Sequence, residues 1–112
     1  MIDTFLNVVY DTDTAQAFGS RESAHIPSDK RWYRETLFCN RSGYWFLAGE
    51  GGSRTHYAVE PRSGERSGAA GIIPIGRMQA LRWLAEIGHT AALRDFFADE
   101  KAYLQSEYNI DL

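Results

Sequence analysis

The chain has 112 residues, 44% of them apolar and 24% charged, and a net charge of −3. These are the proportions of a globular protein with one modest core, expected as a single domain over residues 1–112, and they exclude a nucleic-acid mimic or a partner held by bulk charge alone. A lone cysteine, Cys39, excludes an intramolecular disulfide, and with no basic, apolar leader and no run near ~20 apolar residues the chain reads as cytoplasmic, with no membrane partner.

Phe5 to Tyr10 (F-L-N-V-V-Y) is rich in strand formers and predicts a strand, followed by a polar turn at Asp11-Thr12-Asp13-Thr14. Ala15 to Gly19 predicts a second short strand, ended by Gly19-Ser20, and Arg21 to Lys30 with Pro27 predicts a loop. Tyr33 to Cys39 and Tyr44 to Ala48 are the strongest strand candidates, joined by the hairpin loop Asn40-Arg41-Ser42-Gly43. Gly49, Gly51 and Gly52 then predict a glycine loop, and Thr55 to Val59 a further strand.

Pro61 to Gly71 has the composition of a flexible loop, and Ile72-Ile73-Pro74-Ile75 that of an extended segment docked at a sheet edge. From Met78 the period changes. Ala80, Leu81, Leu84 and Ile87 share one helical stripe ended by Gly88. Thr90 is an N-cap candidate for a helix over 91–98 that packs Leu93, Phe96 and Phe97. Asp99 can cap a last helix from Glu100 to about Tyr108, with Tyr103 and Leu104 inward. Strands first and helices last predict an α+β fold, an antiparallel β-sheet of about four strands packed against the C-terminal α-helices.

Few residues suggest chemistry. The Gly49–Gly52 loop offers backbone N–H groups of the kind that can cradle an anion, but it lacks the Gly-Lys-Ser/Thr of a phosphate loop and is not followed by a helix, so sequence leaves a ligand loop or a simple turn, the turn being the first reading. His25, His56 and His89 have no partner at ligand spacing, so no metal and no cofactor is expected, and His89 reads as a cationic cap at a helix C-terminus. Asp11 and Asp13 lack the remainder of a calcium loop. An enzyme would need Cys39 and His56, or Glu50 and His56, to converge, and without that no catalytic residue is assigned and no enzyme is expected.

What remains is an interface. Ten arginines against two lysines favour planar, stacked contacts. Arg31, Arg34, Arg41 and Arg54 interleave with Trp32, Tyr33, Tyr44 and Trp45. The contact residues chosen on this basis are Arg41, Tyr44, Trp45, Glu50 and Arg54. Between Arg21 and Arg54 six basic residues face four acidic ones, so a nucleic acid stacked on the Arg/aromatic sheet face is the second choice after a protein. An exposed strand edge also leaves a homodimer open.

Three segments, Tyr10-Asp11-Thr12-Asp13-Thr14-Ala15, Glu35-Thr36-Leu37-Phe38 and Gly43-Tyr44-Trp45-Phe46-Leu47-Ala48-Gly49-Glu50-Gly51-Gly52, combine with Tyr57-Ala58, Ile72–Ile75 and a following helix. Together they resemble a group of small uncharacterised proteins of phages, prophages and mobile elements, over about residues 8–97. Gly76 stands where that group tends to have a serine cap. The resemblance carries no activity and no catalytic residue. It implies a context, in which such proteins bind a host or defence component; in size and character the chain is similar to anti-CRISPR proteins, inhibitors that occlude a CRISPR-Cas effector.

Overall fold

A computed structural model describes residues 1–112 as an α+β chain with six antiparallel strands followed by three helices. It divides into two compact units, Met1–Ile75 and Gly76–Leu112. The first holds a two-stranded ladder of β1 (Ile2–Phe5) and β2 (Val8–Asp11), and a four-stranded sheet in the order β3 (Gln16–Glu22), β4 (Tyr33–Cys39), β5 (Trp45–Gly51), β6 (Ala69–Ile75). No helix is long and apolar enough to cross a membrane.

The first apolar run is a hairpin, not the single strand expected from its composition. Leu6 and Asn7 both take positive φ, 49° and 65°, as the two central residues of a type I′ turn must. Asn tolerates this region and hides the turn inside an otherwise strand-like sequence. The register pairs Asp3 with Tyr10 and Phe5 with Val8, leaving Ile2, Thr4, Val9 and Asp11 on the opposite side of the ribbon. Tyr10 is buried and meets Phe46 edge-on at 5.3 Å, and Val8, Ala15, Phe38 and Ile72 complete this cluster. The hairpin is thereby tied to one face of the four-stranded sheet.

β3 runs through Gly19 instead of ending there, because the glycine sits at φ 126° within a register shift between Ala17 and Ser20. A bulge of this kind bends an edge strand without terminating it. β4 has the predicted bounds. β5 continues past Ala48 through Gly49-Glu50-Gly51, which are paired residues of a strand and not a loop.

Gly49 lies opposite Glu35, where a Cβ would come within 2.2 Å of the Arg34 carbonyl oxygen and 2.8 Å of the Glu35 Cα. The glycine is therefore a close-approach residue. Ile72–Ile75 belong to β6, the edge strand beside β5, as their apolar extended character predicts. Thr55–Val59 forms turns, with a single bridge from Val59 to Ser67, and not the expected strand.

In the second unit, α1 (Arg77–Ile87) buries Ala80, Leu81, Trp83, Leu84 and Ala85, so Trp83 is a core residue. Gln79 accepts the Gly76 N–H at 2.7 Å in place of a serine cap. α2 (Thr90–Phe96) is capped by His89, whose Nδ1 accepts the Ala92 N–H at 3.1 Å. An Nδ1 that accepts carries no proton, so His89 is an N-cap and not the cationic C-cap expected, and Thr90 lies inside the helix.

A 3-10 turn at Ala98–Glu100 leads into α3 (Lys101–Tyr108), which has no side-chain cap at its start. Leu93, Phe97 and Leu104 are fully buried, whereas Phe96 is exposed. Arg77 closes this unit with a fork of two hydrogen bonds to Glu100, a third to the Phe96 carbonyl, and its guanidinium 4.6 Å from the Phe97 ring. The carboxyl of Glu100 is held below its ordinary range by that fork.

Candidate functional site

Alternation along β4 sends Glu35 to the same side as the buried Leu37 and Cys39. Its side chain is fully buried, a costly position for a carboxylate unless its oxygens are satisfied. They are. Arg21 Nε–H donates to Oε2 at 2.9 Å, Tyr57 Oη–H donates to Oε1 at 2.9 Å, and His56 Nε2 lies 2.7 Å from Oε1. Gly49 leaves the room this side chain occupies.

The Tyr57 hydroxyl is held far above its usual range, first by burial and then by the adjacent carboxylate, so it stays a neutral donor. The network ties the loop carrying His56 and Tyr57 to the middle of the sheet. Sequence reading missed it, because Glu35 looked like one polar residue in an aromatic strand; the nearby glycine at position 49 was its only trace.

Neither catalytic pairing considered from sequence forms. Cys39 lies four residues along β4 from Glu35, roughly 13 Å at strand rise, and its thiol is pushed up by burial, away from nucleophilic character. Glu50 points to the opposite face of the sheet from Glu35 and its His56, and pairs with Arg34 at 3.2 Å. No three His, Cys, Asp or Glu side chains gather where they could hold a metal ion.

The sheet face bearing Thr36, Ala48 and Glu50 is half covered by the hairpin. Its open half forms a groove of about 670 Å³, floored by Ser20, Thr36, Ala48 and Ala70. One row across it reads Glu22, Arg34, Glu50. Two carboxylates flank one guanidinium, and the Trp32 indole N–H donates to Glu22 at 3.0 Å. Arg34 also reaches 5.9 Å from the Trp32 ring.

The five contact residues chosen from sequence separate. Trp45 is 6% exposed against the Phe18 ring, so it is a core residue with almost no surface to offer. Glu50 is engaged by Arg34, and Arg54 is exposed in the turn after β5. Arg41 and Tyr44 lie at the other end of that strand, roughly 20 Å away at strand rise. Both are exposed, and neither side chain has a hydrogen bond, ion pair or ring contact within the chain. Of the remaining arginines in this region, Arg21 is held by Glu35 and Arg31 by Asp29, whose carboxyl the Arg31 guanidinium keeps well below its ordinary range.

The β4–β5 turn adjoins the N-terminal hairpin, since Asn40 Nδ2–H donates to the Val9 carbonyl at 3.3 Å. That hairpin leaves Ile2, Phe5, Leu6 and Val9 exposed, with Leu6 at 83%. A leucine in the left-handed region costs about 1–2 kcal/mol, and one this exposed recovers nothing from packing within the chain. We predict that Leu6→Gly raises the unfolding free energy by about 1 kcal/mol in urea denaturation; an unchanged or lowered midpoint would show that Leu6 is not strained. Comparison with protein-family models, with curated proteins and with solved structures gives no match to this chain.

Proposed function

We propose that this chain is a non-enzymatic binding protein that acts by covering a surface of another protein. The observation that carries this reading is the end of the first unit where the β4–β5 turn meets the hairpin. There Arg41 and Tyr44 stand exposed without an internal partner, next to the hairpin strand of Val9, and the same hairpin also exposes Ile2, Phe5 and Leu6 along its length. Arginine and tyrosine are the residue types on which interface energy concentrates, and an exposed apolar patch marks an interaction site. The resemblance to phage and prophage proteins gives the partner its proposed class, a host or defence component such as a CRISPR-Cas effector. The nucleic-acid alternative draws less support, because the open sheet face sets Glu22 and Glu50 around Arg34 where a polyanion would have to lie.

Affinity capture from a bacterial host lysate tests the proposal. The unaltered chain is expected to retain a protein that the double variant Arg41→Glu, Tyr44→Ala retains at least about tenfold less, since two such contacts are worth about 1–2 kcal/mol each. Both positions are exposed and unpartnered, so the thermal midpoint should be unchanged. Equal recovery by the two baits, or nothing above background with either, rejects this reading.

A further inference from the structure

We infer that the tip of the β1–β2 hairpin is a plug that enters an apolar pocket with a basic rim on a partner protein. The inference rests on the binding reading above and names the chemistry of the partner. Leu6 is 83% exposed, Ile2 66%, Phe5 56% and Val9 52%. A two-residue turn ordinarily takes Asn-Gly or Asp-Gly to relieve its positive φ. Here the first turn position is a leucine at φ 49°, displayed to solvent. A strained, projecting apolar side chain has its use in a contact outside the chain.

Charge selects the kind of contact. Residues 1–20 include Asp3, Asp11 and Asp13 and no lysine, arginine or histidine; their one cation is the Met1 ammonium, which donates to Thr12 Oγ1 at 3.0 Å, so the segment keeps a net negative charge. Asp3 and Asp11 each accept a backbone N–H, from Thr4 and from Asp13, and none of the three carboxylates is paired with a basic side chain. Asp11 lies at the open end of the hairpin, beside Ile2, roughly 13 Å from the turn. The complement is a pocket for Phe5 and Leu6 with lysine or arginine a comparable distance away. Nucleic acid and an anionic lipid surface would both be repelled, and a symmetric contact between two hairpins would set like charges against each other.

The test places a photoreactive benzophenone residue at position 6 (Leu6→p-benzoylphenylalanine) of the full chain and irradiates it in bacterial lysate. The expected adduct is a single protein, joined through an apolar segment flanked by lysine or arginine. A Leu6→Asp bait should retain that protein at least about tenfold less, and Asp11→Lys with Asp13→Lys should weaken it severalfold and reduce the salt dependence of binding. Asp tolerates the left-handed region, so the Leu6→Asp chain should fold; an unchanged far-ultraviolet spectrum checks this.

An adduct to a second copy of the chain, to an acidic surface or to nucleic acid overturns the inference. So does a partner that remains sensitive to Arg41→Glu but indifferent to Leu6→Asp, and in that case the protein-binding reading stands while the hairpin plug falls. If neither variant changes recovery, both fall together.

Discussion

Replacing Glu35 with alanine is expected to lower the unfolding free energy by about 2–3 kcal/mol, most of it from the buried Tyr57 hydroxyl left without an acceptor, since Arg21 and His56 are partly exposed and can be solvated. The carboxylate is the common acceptor for Arg21, His56 and Tyr57. Without it, the Tyr57 hydroxyl, in a residue only 4% exposed, loses its acceptor, and the Arg21 guanidinium loses the charge facing it. Glu35→Gln should fall between, because the amide oxygen can still accept but its NH₂ group must face a donor. Tyr57→Phe, which removes one hydrogen bond and leaves the ring in place, should cost about 1 kcal/mol.

Urea denaturation reads all three. A loss below about 1 kcal/mol for Glu35→Ala would mean that the loop, not the carboxylate, holds this region together. Amide exchange gives a second reading. Protection should fall across Gly52–Ala58, which the network pins, and persist in the β4–β5 turn, which Asn40 holds through its own bonds to the Ser42 and Tyr44 amides. The binding proposed for Arg41 and Leu6 should therefore survive a change that loosens the other end of the sheet.

Much of the fold was legible because local pattern and tertiary outcome agree. β4, the apolar edge segment now seen in β6, and α1 each follow from period, composition and end signals. The failures have physical causes. The Leu6-Asn7 turn was concealed because leucine is a poor residue for positive φ, so the usual hairpin signal was missing. The glycines of β5 read as a loop because composition cannot distinguish a glycine kept for conformational freedom from one kept for clearance.

Thr55–Val59 has strand-forming residues, but its backbone turns while Tyr57 and His56 are drawn to Glu35. Among the contact residues chosen from sequence, the exposure of Arg41 and Tyr44 was legible, since a hairpin loop lies at the surface. Trp45 was not separable from Tyr44 by sequence, because adjacent strand-end residues differ in burial according to the register with Cys39 and Ile75. Glu50, chosen as a contact residue, is instead held in an ion pair with Arg34 across β4 and β5.

The requirement for clearance at Gly49 gives the second large effect: Gly49→Ala is expected to cost about 3 kcal/mol or more, at the upper end of overpacking penalties. The added Cβ would meet the Arg34 carbonyl oxygen at 2.2 Å, Glu35 Cα at 2.8 Å and Glu35 Cβ at 2.9 Å. Two of these atoms are backbone and the third is fixed to it, so no rotamer change relieves the contact. The β4 and β5 backbones must separate, and the ladder that carries Glu35 separates with them. Combining Gly49→Ala with Glu35→Ala distinguishes the two sources of strain. Truncating Glu35 removes neither the carbonyl nor the Cα, so the double variant should be no more stable than the less stable single variant. If Glu35→Ala instead rescued Gly49→Ala, the glycine would be accommodating only the glutamate side chain, and the sheet would tolerate a methyl group at this position.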